Sequence, residues 1–187
     1  MTSSLAAPDA RIVAVCSAPT HVFSKSARDA ITLRENHGVE GDAHAGATVK
    51  HRSRLKKFAD QPNLRQVHLM HAELFDALAA KGFTITPGQL GENVTTRGID
   101  LLALPEGSEL QLGASARVRI TGLRNPCNQI EDFGAGLLRE VLDRNEHGEL
   151  VRKTGVMGIV VADGEIRPGD AIRLLLPQPP HRPLAPV

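Results

Sequence analysis

The chain has 187 residues, 41% hydrophobic and 23% charged, a composition that suits one well-cored globular domain and is short for two. Its 22 Lys and Arg stand against 21 Asp and Glu; the net charge of +1 supplies no overall field for DNA, an anionic membrane or an acidic partner, so charge-based recognition must be local. With no Trp, no Tyr and five Phe there is little to stack on unpaired bases, and no window has the length of a membrane span, so neither nucleic acid nor membrane is an expected partner.

The N-terminus, MTSSLAAPDARIVAV, lacks a basic segment ahead of its short apolar run, which makes the cytoplasm the expected compartment. Residues 1–9 read as a flexible N-terminus, 10–176 as one domain and 177–187 as a Pro-rich tail. Residues 11–18 (RIVAVCSA) and 30–34 (AITLR) are β-branched runs that predict strands. Inside the first, Cys16 has apolar neighbours and is expected to be a small buried hydrophobe. Residues 37–46 (HGVEGDAHAG) predict a tight loop whose glycines, Gly41 among them, let backbone approach a ligand closely. That loop presents Asp42 and His44. A solvent loop in which Asp42 caps its own turn is equally compatible with the residues.

Directly after it, residues 50–58 (KHRSRLKKF) carry Arg52, Arg54, Lys56 and Lys57. Such runs are usually solvated faces, yet beside a glycine loop one can hold a phosphate. Residues 64–70 (LRQVHLM) predict a strand that leads into the helical pattern HAELFDALAAKG, with Gly82 as its stop. Residues 87–98 (PGQLGENVTTRG) place Glu92, Asn93 and Arg97 near glycines. Further strands follow in ELQLG, ARVRITGL and GIVVADGEIRPGDAIRLL, the last divided by Asp163-Gly164 and Pro168-Gly169. The class is mainly β with a few helices. Neither glycine-rich nucleotide motif is present, and the five prolines of PQPPHRPLAPV exclude a helix or a central strand.

The stretch TGLRNPCNQIEDF sets Cys127 after a proline and among polar residues. Ile130, Phe133, Leu137, Leu138, Val141 and Leu142 recur at helical spacing, with Gly134 and Gly136 as weak points. Asn125 then reads as the N-cap and Pro126 as the first helical residue. Cys127 would lie in the first turn, where the dipole stabilises a thiolate, and Arg124 could add positive charge. Two cysteines make neither a disulfide framework nor a four-ligand zinc site, so both are expected as free thiols.

GVEGDAHAG, LGENVTTRGIDL, TGLRNPCNQI and MGIVVADGEIRPGDAI together resemble the MOSC domain, the C-terminal domain of molybdenum cofactor sulfurase that also occurs as small stand-alone bacterial proteins. The resemblance spans about residues 10–176. It implies a β-barrel-like fold with peripheral helices, association with the molybdenum cofactor in its molybdopterin form, and a cysteine that carries sulfur or ligates the metal. Cys127 matches that cysteine. The chain departs from some relatives in having Ala43, not a basic residue, after Gly41-Asp42. Without the sulfurase's aminotransferase-like domain it is not expected to take sulfur from free cysteine by itself.

On this basis the expected function is a small molybdoenzyme that reduces N-hydroxylated or N-oxide compounds. Cys127 is expected as the metal ligand, with Asp42 and His44 on the substrate side. Arg52, Arg54 and Arg97 are assigned to the cofactor phosphate, Arg124 stands nearer the metal, and Asn93, Asn125 and Gly41 belong to the cofactor site. The partners would be a small-molecule substrate and an electron-donor or sulfur-donor protein. Two alternatives stay open: a non-catalytic cofactor or persulfide carrier acting through Cys127, and a histidine metal site drawing on His44, His51, His68 and His71.

Overall fold

The structure, a computed structural model, describes residues 4–5, 9–50 and 59–187. Residues 1–3 and 6–8, part of the stretch expected to be flexible, lie outside the described residues, as do 51–58 with His51, Arg52, Arg54, Lys56 and Lys57. The strands are β1 (Ser4–Leu5), β2 (Arg11–Ser17), β3 (Ser26–Arg28), β4 (Ile31–Arg34), β5 (Gly38–Val39), β6 (Val67–His71), β7 (Val94–Arg97), β8 (Glu109–Leu112), β9 (Ala116–Leu123), β10 (Leu142–Arg144), β11 (Leu150–Arg152), β12 (Val156–Ala162), β13 (Gly164–Ile166) and β14 (Ile172–Leu175). Among the described residues one nine-stranded sheet runs β1-β14-β8-β9-β12-β6-β7-β2-β3, with β13-β4-β5 and β10-β11 as smaller sheets.

Within the large sheet every pair is antiparallel except β6 with β7. A parallel pair needs a crossover, and the helix Ala72–Ala79 lies in this one. The sheet also curls round on itself. Ile12 N–H donates to Asp170 O at 2.8 Å and Ile172 N–H to Ala10 O at 2.9 Å, beside an isolated Arg11–Ala171 bridge. The contact joins β2 to the approach of β14 without a continuous ladder, so the mainly β fold is barrel-like and not a closed barrel.

Alternation places the core. In β9, Ala116, Val118 and Ile120 are buried while Arg117 and Arg119 point outward and pair with Glu109 of β8 at 3.2 and 2.8 Å. The inward set joins Ile12, Leu33, Leu69, Val94, Leu110 and Val156 in the main core. A second cluster forms where Leu74, Phe75 and Leu78 of the helix meet Ile130, Leu137 and Val141. This smaller core fixes the segment that follows Cys127.

That segment is not one helix. Asn128–Phe133 forms a 3-10 helix and Leu137–Val141 a short α-helix. The break comes at Gly134 and Gly136, at φ 155° and 88°, where continued helical backbone is impossible. Glu131 stabilises the break, accepting from Gly136 N–H at 2.7 Å and Leu138 N–H at 2.6 Å. Asn125 is not the cap: its Oδ1 accepts from Arg152 Nε at 2.8 Å. The prolines of the tail form no regular element, and Pro186 bridges to Leu123 at the end of β9.

Leu69 is fully buried in the main core and Leu150 is 40% exposed. Leu69→Ala should cost about 2–5 kcal/mol in urea denaturation, and Leu150→Ala no more than about 0.5 kcal/mol.

Candidate functional site

Long-range pairing brings six stretches of chain to one cavity of about 590 Å³, Met157 of β12 among them. The turn after β2 supplies His21, Phe23 and Lys25, and the glycine loop supplies His44. Asn63, Arg65 and His68 come from the approach to β6 and from β6 itself. Asn93 stands just before β7, and Arg124 to Cys127 with Gln129 follow β9. Lys25, Lys50, Arg65 and Arg124 all line the cavity, and among the described residues no Asp or Glu does.

Beneath the wall lies Asp42. Its Oδ2 accepts from Lys25 Nζ at 2.7 Å, Asn93 Nδ2 at 3.1 Å and Ala18 N–H at 3.2 Å. Oδ1 accepts from His44 N–H at 3.0 Å and faces His44 Nδ1 at 3.3 Å. Burial alone would raise the Asp42 pKa, but the His44 bonds and the Lys25 charge outweigh it and hold the carboxyl below its ordinary range. Gly41, at φ 75°, makes the turn that aims Asp42 inward.

Asn93 works from both ends of its side chain. Nδ2 also donates to Cys16 O at 3.1 Å, and Oδ1 accepts from His68 N–H at 3.2 Å, so one amide ties β2 to β6. His68 is buried, and its Nε2 donates to Thr154 O at 2.7 Å. Burial drives its pKa down to about 3, and the ring is neutral. His44 stacks on His21 with centroids 5.0 Å apart.

Cys127 lines the same cavity. It is the residue before the 3-10 helix, at φ −117° and ψ 164°, so the expected α-helical dipole is not behind it. Its positive neighbour is Arg124, whose Nη2 lies 4.0 Å from Sγ. Arg124 is fixed at its main chain by Gly155 O at 3.0 Å, and its guanidinium stands 5.8 Å from the Phe23 ring centroid. Nη1 of Arg124 is buried without a partner among the described residues. Cys127 is half-buried, whereas Cys16 is 1% exposed and burial pushes its thiol up to about 12.

Of the residues singled out from sequence, Cys127, His44, Arg124, Asn125 and Asn93 come together at the cavity. Asp42 supports that wall from below, and Gly41 turns the loop without lining it. Arg97 does not belong: at the end of β7 its guanidinium donates to Asp76 at 2.7 Å. Arg52 and Arg54 lie outside the described residues. Among the described residues no group of three His, Cys, Asp or Glu could hold a metal, and His51 lies outside them.

Sequence reading missed Lys25, Arg65, His21 and Phe23. Nothing local marks Lys25, because its partner Asp42 is 17 residues away. Nothing local marks Arg65 either, since its partner Val187 is 122 residues away.

Iodoacetamide should alkylate Cys127 in the folded protein and leave Cys16 unmodified until the chain is unfolded, as peptide mass mapping would show. Labelling of Cys16 first would place the reactive thiol elsewhere.

A family model described as the MOSC domain matches residues 41–173. Among solved structures, the YuaD protein from Bacillus subtilis superposes with a TM-score of 0.76 at 26% identity, covering 95% of this chain and 100% of its own. YiiM from Geobacillus stearothermophilus gives 0.62 at 18% identity over 90% and 75% of the two chains. YiiM from Escherichia coli gives 0.59 at 17% identity over 92% and 73%, and at these identities the YiiM likenesses bear on fold alone. No curated protein matches the chain.

Proposed function

The chain belongs to the MOSC domain family, and on that premise we propose that its cavity binds the molybdenum cofactor and that the loaded protein reduces small N-hydroxylated or N-oxide compounds. The observation that carries this reading is the lining: among the described residues, four cations and a half-buried thiol stand around one cavity and no carboxylate does. Such a wall suits an anionic ligand that also carries a soft metal.

The residues fit that group. A buried guanidinium nitrogen without an acceptor costs free energy, and Arg124 Nη1 is one, so an anionic oxygen there would remove the cost. The planar fork of Arg124 matches phosphate or metal-oxo oxygens, and Cys127 offers a thiolate to molybdenum. Lys25, Lys50 and Arg65 would hold the remaining negative charge. When bound, the cofactor would supply two-electron redox chemistry at its metal.

The protein's own part is binding, orientation and proton supply. Reduction of an N-hydroxylated compound to the amine and water consumes two electrons and two protons, and the electrons would come from a donor protein. His44, oriented through Nδ1 by Asp42 and lining the cavity, is placed to relay a proton. Met157, Phe23 and Leu90 form apolar lining for the organic part of a substrate. A persulfide carrier is the second reading, favoured by the accessibility of the Cys127 thiol; turnover with an artificial electron donor separates the two, since a carrier gives none.

Protein from a cofactor-competent host should contain molybdenum and pterin. Cys127→Ser should lose most of both while Cys16→Ser retains them, and Arg124→Lys, which keeps charge but not the fork, should also lose cofactor. Equal retention in the two cysteine variants would remove Cys127 as ligand.

A further inference from the structure

Residues 184–187 are packed against the corner that carries Arg124. Leu123 N–H donates to Ala185 O at 2.8 Å, Val187 N–H donates to Leu123 O at 3.3 Å, and Leu123 and Pro186 form a parallel bridge. Leu184 packs on the main core, and further back Glu106 N–H donates to Arg182 O at 2.9 Å. Leu123 ends β9, and the next residue is Arg124. The main-chain oxygen of Val187 accepts from Nη2 of Arg65, which lines the cavity. One cation of the wall, and the residue that precedes another, therefore rest on one short stretch of tail.

An arginine side chain loses rotamer freedom when it is fixed, and a ligand that must do the fixing binds correspondingly more weakly. A tail that fixes it beforehand removes that cost from binding. We infer that residues 184–187 form a brace that positions Arg65 and the Leu123–Arg124 corner for an anion, and that an anion in the cavity holds the brace docked in turn. The inference rests on the reading of the cavity as an anion site.

Gly122 gives a test that touches no cavity side chain. Its φ is outside the left-handed region, so alanine suits the backbone there. An added Cβ would overlap the Ala185 carbonyl oxygen and lie 2.9 Å from Val187 Cβ, so the tail must shift away from β9. Calorimetric titration with inorganic phosphate should show Gly122→Ala binding at least about fivefold more weakly than wild type. By reciprocity, saturating phosphate should slow hydrogen exchange of the wild-type Val187 amide by the same factor.

Phosphate affinity that Gly122→Ala leaves unchanged or raises would overturn the brace and leave the anion site standing. If the variant does not fold, the wild-type exchange experiment decides alone, and exchange unaffected by bound phosphate overturns the proposal. No phosphate binding to wild type sinks the anion site and the brace together.

Discussion

Asp42 gathers the cavity wall onto one buried carboxylate. Its side chain is 1% exposed and that of its partner Lys25 is 4% exposed, so neither charge has water to fall back on. Removing one member of such a pair costs about 3–5 kcal/mol, because the other is left buried and unpaired. The same carboxylate also takes bonds from the end of β2, the glycine loop and Asn93. Lys25, His44 and Asn93, all held by it, line the cavity.

This arrangement sets the electrostatics of the site. One carboxylate offsets Lys25 from behind, Lys50, Arg65 and Arg124 also line the wall, and His68 adds no charge because it is neutral. Glu92, also buried, has its pKa raised chiefly by burial and accepts from Gly88 N–H at 2.6 Å, outside the cavity lining. The Cys127 segment depends on packing. Ile130, Leu137 and Val141 are seated in the second core against the helix Ala72–Ala79, which sets where the chain can leave β9 and hence where Cys127 stands.

What the sequence revealed was local. Alternation in ARVRITGL, the apolar neighbours of Cys16 and the polar ones of Cys127 each report their own surroundings, and strand, burial and exposure followed them. Helical spacing after Pro126 was misleading, because the two glycines end the first turns before an α-helix can form. Arg97 looked equivalent to Asn93, four residues earlier on one motif, yet only the latter reaches the cavity. Lys25 and Arg65 were not legible as site residues, since each owes its place to a contact made across the fold: Asp42 for one, Val187 for the other. Family resemblance pointed to the cysteine and the loop. It could not supply the tail contacts or the buried pair.

An Asp with a depressed folded pKa contributes stability that is present above its unfolded value of about 3.9 and is lost as pH falls through the folded value. For Asp42 that contribution shrinks as pH falls below about 3.9 and is gone once pH is below the folded value. The carboxyl carbon of Asp42, followed by NMR through an acid titration of the folded protein, reads its charge without reference to any ligand. The account predicts a resonance that stays in its ionised position as pH is lowered well past the ordinary aspartate range. A carboxyl that titrates at or above about 3.9 would contradict it, since Lys25 would then lack the charge that keeps it buried.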